Sequence, residues 1–313
     1  VYKTLARAFE VAERQAGANI GSAYVDADEI TTKAIDWIEG TDPDQPAFCW
    51  VHYMDVHHPY VPPAAHQRSF RDEPIGERQA IKLRRKMIEE PAAVTDAELD
   101  DIIDLYDAEI RFSDAQIGRL VDAARSHWGE TAVALTADHG EEFKEHGIFS
   151  HPNSFYDEVM HVPLLFDGFG DVADVDDIVG LLDLPPTLAD FAGLPVPETY
   201  NGRSLRPLFE EGEFGRDHIV GNWGDTDTGE RRYAYRDAAW KYIRHGDGEE
   251  LYDLEADPKE TENLADAETA VVERLSATVH DVAERIEETR TDLGEVEMDE
   301  SVKDRLRDLG YKE

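Results

Sequence analysis

The sequence predicts an α/β protein. Residues 1–210 should form a doubly wound, mostly parallel sheet. Residues 211–313 should form a small antiparallel subdomain with a terminal helix and a charged tail. Three observations carry this. Short apolar runs alternate with longer stretches of helical periodicity, the pattern of strand–helix–strand units. Past the midpoint the texture changes, and apolar residues recur at every second position. The chain has 313 residues, more than one ordinary core holds, which suits one large and one smaller domain.

The elements follow in order. In "DADEITTKAIDWIEG" Asp28 is placed to cap a helix, Ile30, Ala34, Trp37 and Ile38 share a face, and Gly40 stops it. "AFCWVHYM" is nearly continuously apolar and suits a strand buried on both faces. Its Cys49, the single cysteine, reads as a buried core thiol that has no internal partner. "DVHHPYVPP" breaks the run with prolines, and residues 64–93 are polar, a loop and helix over the surface. Thr95 and Glu98 form a capping box before a helix through Leu99, Ile102, Ile103, Tyr106, Ile110, Ile117, Leu120 and Val121.

"TAVALTA" is a strand running into Asp138, and "VPLLF" is another. "DLPPTLADFAG" is a helix with prolines in its first turn and Gly193 past its end. "RRYAYRDAAWKYIRH", the turn "GDG" and "EELYDL" form a hairpin. Val271, Val272, Leu275, Val279, Val282 and Ile286 line one face of a helix over 266–290, and the last stretch is a charged tail.

The charge excludes several classes of partner. Seventy acidic residues stand against 31 basic, a net charge of −39. A surface this acidic repels nucleic acid and anionic membranes. The carboxylates are spread through the chain rather than gathered in a tail, which predicts a halophilic protein adapted to strong screening. No apolar run approaches the roughly 18–20 residues of a membrane helix. The sequence starts at Val1 with no signal-peptide pattern, which predicts a cytoplasmic protein.

In open α/β sheets, ligands bind beyond the carboxyl ends of strands. Two predicted strands end in ligating residues: one in Asp55, His57 and His58, the other in Asp138, His139 and Glu141. An adjacent carboxylate and imidazole can both reach one divalent cation if the backbone turns sharply, and Gly140 permits that turn. Oxygen-rich ligation suits calcium, magnesium or manganese. Taken singly, Asp-His-Gly is also a common turn, and lone histidines such as His57, His146 and His151 are more often surface or hydrogen-bonded core residues.

Together the motifs carry more. "WVHYMDVHHPYVPP", "LTADHGEEFKEHGIFSHPNSFYDEVMHVPLLF", "DLPPTLADFAGLPVPETYNGRSLRPLF" and "WKYIRHGDGEELYDLEADPKETENLAD" occur in that order between residues 50 and 266, within a similarity that runs from about residue 20. They resemble the sulfatase family of the alkaline phosphatase superfamily. The resemblance implies an alkaline-phosphatase-like fold and hydrolysis of a sulfate ester of a small molecule or saccharide. It implies one divalent cation, calcium first, with magnesium or manganese as alternatives, and a formylglycine made from Cys or Ser. It assigns Asp138 and His139 to the metal, and His57 and His151 to catalysis and to the sulfate. His146 is a further substrate-binding candidate.

One part of the family pattern is absent. No C/S-x-P-S-R motif, the formylglycine source, occurs: "SHPNS" has no arginine, and Cys49 is followed by Trp50 and Val51. This predicts that the chain is the carboxyl-terminal two thirds of a sulfatase, inactive by itself, with formylglycine and further metal ligands in an N-terminal part. The alternatives are a phosphonate monoester hydrolase or phosphodiesterase of the same superfamily, and a non-catalytic relative that binds an anion or a partner. Selectivity would lie in loops 61–93 and 222–231, where Trp223 could stack on a sugar, whereas Trp240 suits core packing.

Overall fold

The computed structural model of the chain describes residues 25–151, 154–170, 175–224, 231–246 and 248–289. By compactness these fall into two units. One holds residues 25–131 and 143–150, the other 132–142 and everything described from 151 onward.

The first unit is helical. Helix α1 (Ala27–Glu39) forms where expected, but Asp28 does not cap it. Asp26 holds the N-cap position without a side-chain bond, and Asp55 Oδ1 instead accepts the Ala27 N–H at 2.8 Å. A carboxylate distant in sequence thus does the work of a local cap. Helices α2 (Ala64–Gln67) and α3 (Glu77–Glu89) follow. Helix α4 (Asp96–Trp128) runs 33 residues from the expected capping box of Thr95 and Glu98. Its Ile102 and Leu105 pack with Leu83 and Met87 of α3 and with Tyr60.

The stretch 46–54 has no regular secondary structure. The buried strand read from "AFCWVHYM" is therefore corrected: Phe48 is 71% and Trp50 83% exposed. Cys49 is half-buried rather than a core thiol, and burial raises its pKa.

The second unit begins with β1 (Val133–Thr136). The short strands β2 (Glu142–Phe143) and β3 (Phe149–Ser150) pair as a hairpin, whose residues 143–150 belong to the first unit. Helix α5 (Asp157–Met160) then leads into β4 (Leu164–Asp167). Strand β4 pairs antiparallel with β1, Thr136 opposite Leu164. The expectation of parallel pairing fails for these two strands, because the connection between them turns back within a hairpin and one helical turn rather than crossing over. Helix α6 (Leu184–Phe191) carries prolines in its first turn, and Gly193 beyond it has a φ of 68°. Helix α7 (Arg206–Glu211) follows.

The antiparallel sheet has four strands: β5 (His218–Gly224), β6 (Arg231–Asp237), β7 (Trp240–His245) and β8 (Gly248–Asp253), in that order. Two features differ from the sequence reading. Part of the supposed loop 222–231 is strand β5, and the first arm of the supposed hairpin is two strands that turn at Ala238 and Ala239. Helix α8 (Thr269–Thr289) covers one face, burying Leu275 and Val279 against Tyr233, Tyr235, Tyr242 and Leu251. Phe155 packs on the other face with Ala234, Ile243 and Tyr252. Both faces are buried, so the period-two pattern conceals a second core. Trp240 is partly buried against the α8 side, as its alternation predicts, and the Arg232 guanidinium lies 5.5 Å over the Trp223 ring. The predicted charged tail falls outside the described residues.

Candidate active site

The site is built where β1 ends. Thr136 Oγ1 donates to the Pro163 carbonyl at 2.8 Å, the last tie along the strand pair. The chain then turns at Asp138–His139–Gly140. Gly140 N–H donates to Val159 O at 2.8 Å and Glu141 N–H to Glu158 O at 3.0 Å. These bonds press the turn onto the α5 backbone. A Cβ at Gly140 would sit 2.0 Å from Glu158 O. Glycine is required here for that close approach and not for a left-handed φ, the freedom the sequence suggested.

The turn presents two atoms of ligand type. His139 Nδ1 lies 2.8 Å from Gly140 O, so this nitrogen carries the proton and donates it. The Nε2 lone pair is then free for a cation, the arrangement in which an outer hydrogen bond fixes a ligand's tautomer. His139 Nε2 stands 3.9 Å from Asp138 Oδ1. Two atoms each about 2.0–2.5 Å from one cation can be that far apart. The pair therefore fits a divalent cation as two of its ligands. Among the described residues, no group of three or more His, Cys, Asp or Glu side chains is arranged to hold a metal.

His151 joins the same cluster. Its ring stacks on His139 at 4.1 Å between centroids and 29° between planes. Its Nδ1 lies 3.3 Å from Glu141 Oε1, and the Glu141 side chain is 4% exposed. A buried carboxylate at Nδ1 accepts the proton on that nitrogen and orients the ring.

The structure thus brings together Asp138, His139 and His151, and adds Glu141 as the group that orients His151. His57 and His146 belong to the first unit. His57 follows Asp55, with its Nδ1 2.7 Å from His58 O. His146 lies in the tip of the β2–β3 hairpin, where Gly147 N–H donates to Lys144 O at 3.0 Å. Asp55, read from sequence as a ligating candidate, is engaged in closing α1.

Comparison with solved structures defines the fold. One is BT4656 in complex with its substrate D-glucosamine-2-N,6-O-disulfate: 20% identity, TM-score 0.69, covering 84% of this chain and 70% of that one. Another is the phosphonate monoester hydrolase of Agrobacterium radiobacter: 24% identity, TM-score 0.68, covering 84% of this chain and 62% of that one. The fold is therefore that of the alkaline-phosphatase-like sulfatases and their relatives. A family model described as Sulfatase matches residues 3–194, and one described as N-sulphoglucosamine sulphohydrolase, C-terminal, matches residues 144–291. The chain belongs to the sulfatase family.

Individual relatives match part of their length. Bovine (Bos taurus) arylsulfatase K is 35% identical over 187 residues, 55% of this chain and 34% of that protein. The delta 4,5-hexuronate-2-O-sulfatase of Bacteroides thetaiotaomicron is 36% identical over 152 residues, 43% of this chain and 30% of that protein. The matched stretch is about a third of these relatives.

Proposed function

We propose that the complete protein is a sulfuric ester hydrolase acting on a sulfated saccharide. The observation that supports this most is the Asp138–His139–Gly140 turn, in which the Gly140 carbonyl takes the Nδ1 proton of His139 and leaves Nε2 beside Asp138 Oδ1. Asp138 and His139 would hold a divalent cation, calcium before magnesium or manganese, which when bound polarises the sulfate oxygens. His151, oriented by Glu141, would donate a proton to the leaving oxygen as the bond to sulfur breaks. His57 would bind the sulfate, and His146 is a further candidate for substrate contact. The nucleophile would be a formylglycine outside this stretch, since no C/S-x-P-S-R motif lies within it. The saccharide reading draws on the relatives whose names or complexes specify a sulfated sugar.

The test is an assay of the complete protein, formylglycine installed, with an aryl sulfate, a sulfated disaccharide and a phosphonate monoester, before and after chelation. Chelator-sensitive sulfate release supports the proposal. Preference for the phosphonate ester would move the protein to the other hydrolase class of this fold, and no turnover on any of the three would defeat the assignment.

A further inference from the structure

Strand β7 carries a lysine where a core residue belongs. Lys241 is 1% exposed and shares with Ile243 the sheet face opposite α8. A buried ammonium is costly unless it is paired and hydrogen-bonded. Lys241 Nζ contacts Asp157 Oδ1, and lies 2.6 Å from Glu260 Oε1. Strand pairing sets Arg236 directly opposite Lys241, and Arg236 Nη2 reaches Asp157 Oδ2 at 3.0 Å. The second oxygen of Glu260 accepts the Asp157 N–H at 2.7 Å. Glu260 makes these contacts from a φ of 53°, a conformation that side-chain-bearing residues adopt only when their surroundings hold them there.

Asp157 is thereby gripped at its side chain by two cations and at its amide by a buried carboxylate. It opens α5, and the next two residues, Glu158 and Val159, supply the carbonyls on which the Gly140 and Glu141 amides rest. The β1–β4 ladder ends at Thr136, short of the turn. The antiparallel sheet is therefore linked to the turn through Lys241, Asp157 and two backbone hydrogen bonds.

We propose that Lys241 is a positioning residue for the candidate site: with Glu260 it fixes Asp157, and through α5 the turn from which Asp138 and His139 reach one cation. The metal role of the pair rests on the function proposed above, whereas the mechanical link does not. A cluster that only stabilised the sheet would affect global unfolding and leave the turn no looser than the rest of the molecule.

The experiment uses the complete protein and two variants. Lys241→Met/Glu260→Gln removes both buried charges together, and Asp157→Asn loosens the grip with little change in shape. Amide exchange is followed at Gly140 and Glu141, with Ile102 and Leu105 of α4 as controls, and calcium or manganese affinity is measured by calorimetry. Exchange at the two turn amides should accelerate about tenfold or more, as a weakened local anchor allows, with the controls unchanged. Metal Kd should rise by a similar factor, and Lys241→Arg, which keeps a cation, should recover most of both effects. Unchanged turn exchange and unchanged Kd in a folded variant would overturn the link, and so would failure of both variants to fold. If the wild type shows no sulfate release but the turn amides respond, the functional reading fails and the positioning role stands.

Discussion

Gly140 and Glu158 are in such close contact that one added carbon, a Cβ on the glycine, would stand 2.0 Å from the Glu158 carbonyl oxygen. The neighbouring atoms are backbone and cannot swing aside. Gly140→Ala should therefore displace the turn, destabilise the protein by about 1–3 kcal/mol, and weaken metal binding. Chemical denaturation and metal titration measure the two effects, and wild-type values for both would mean that the contact is not maintained in solution.

Asp138 carries half of the proposed ligand pair. Asp138→Asn keeps the size of the side chain and an acceptor for the His139 amide, 3.1 Å away, while removing the charge. Metal affinity should drop by about tenfold or more, and turnover with it. Thermal stability of the metal-free protein should stay within about 0.5 kcal/mol of wild type, because the side chain is 55% exposed. Retention of full metal content by the variant would remove Asp138 from the site.

Glu109 is a buried acid on α4. Burial lifts its carboxyl to about 8, its bond from the Val61 N–H opposes the rise, and Asp55 and Asp26 add to it. The folded protein then holds a proton that the unfolded chain loses near pH 4.5. This contribution to stability is fully present below that pH and is lost as the pH rises through about 8. Glu109→Gln keeps an oxygen for Val61 and has no proton to lose. Its melting temperature should match wild type near pH 4, and exceed it by a few degrees at pH 8. Parallel pH profiles for the two proteins would show that Glu109 titrates normally.

The net charge of −39 predicts a dependence on salt. At low ionic strength the screening length is about 10 Å, and dispersed carboxylates repel one another across the surface. The melting temperature should climb steeply as sodium chloride goes from about 0.1 M to about 3 M, where screening shortens to a few ångströms. A flat response would leave the halophilic reading without support.

Much of this was legible in the sequence, because local signals agreed with the final contacts. Thr95 and Glu98 announce α4, the prolines of "DLPPTLADFAG" announce α6, and strand-end "DHG" marks the turn. What escaped reading depended on partners distant in the chain. Asp55 closes α1 from 28 residues away. Glu158, an ordinary residue by sequence, dictates Gly140 through its carbonyl. Lys241 reads as the polar half of an alternating strand, and only the packing of Phe155 on that face reveals that it is buried. "AFCWVHYM" misled for a related reason: apolar composition encodes a tendency to be covered, and whether a covering strand is at hand is not a local property.

The chain passes between the two compact units after residues 131, 142 and 150. Neither unit is one uninterrupted stretch of the gene. A single recombination event cannot exchange one unit for a homologue's without also splitting the other. The helical unit and the unit that carries Asp138 and His139 should accordingly be inherited together, and a chimaera made by one splice between residues 131 and 151 should be destabilised in at least one of the two units.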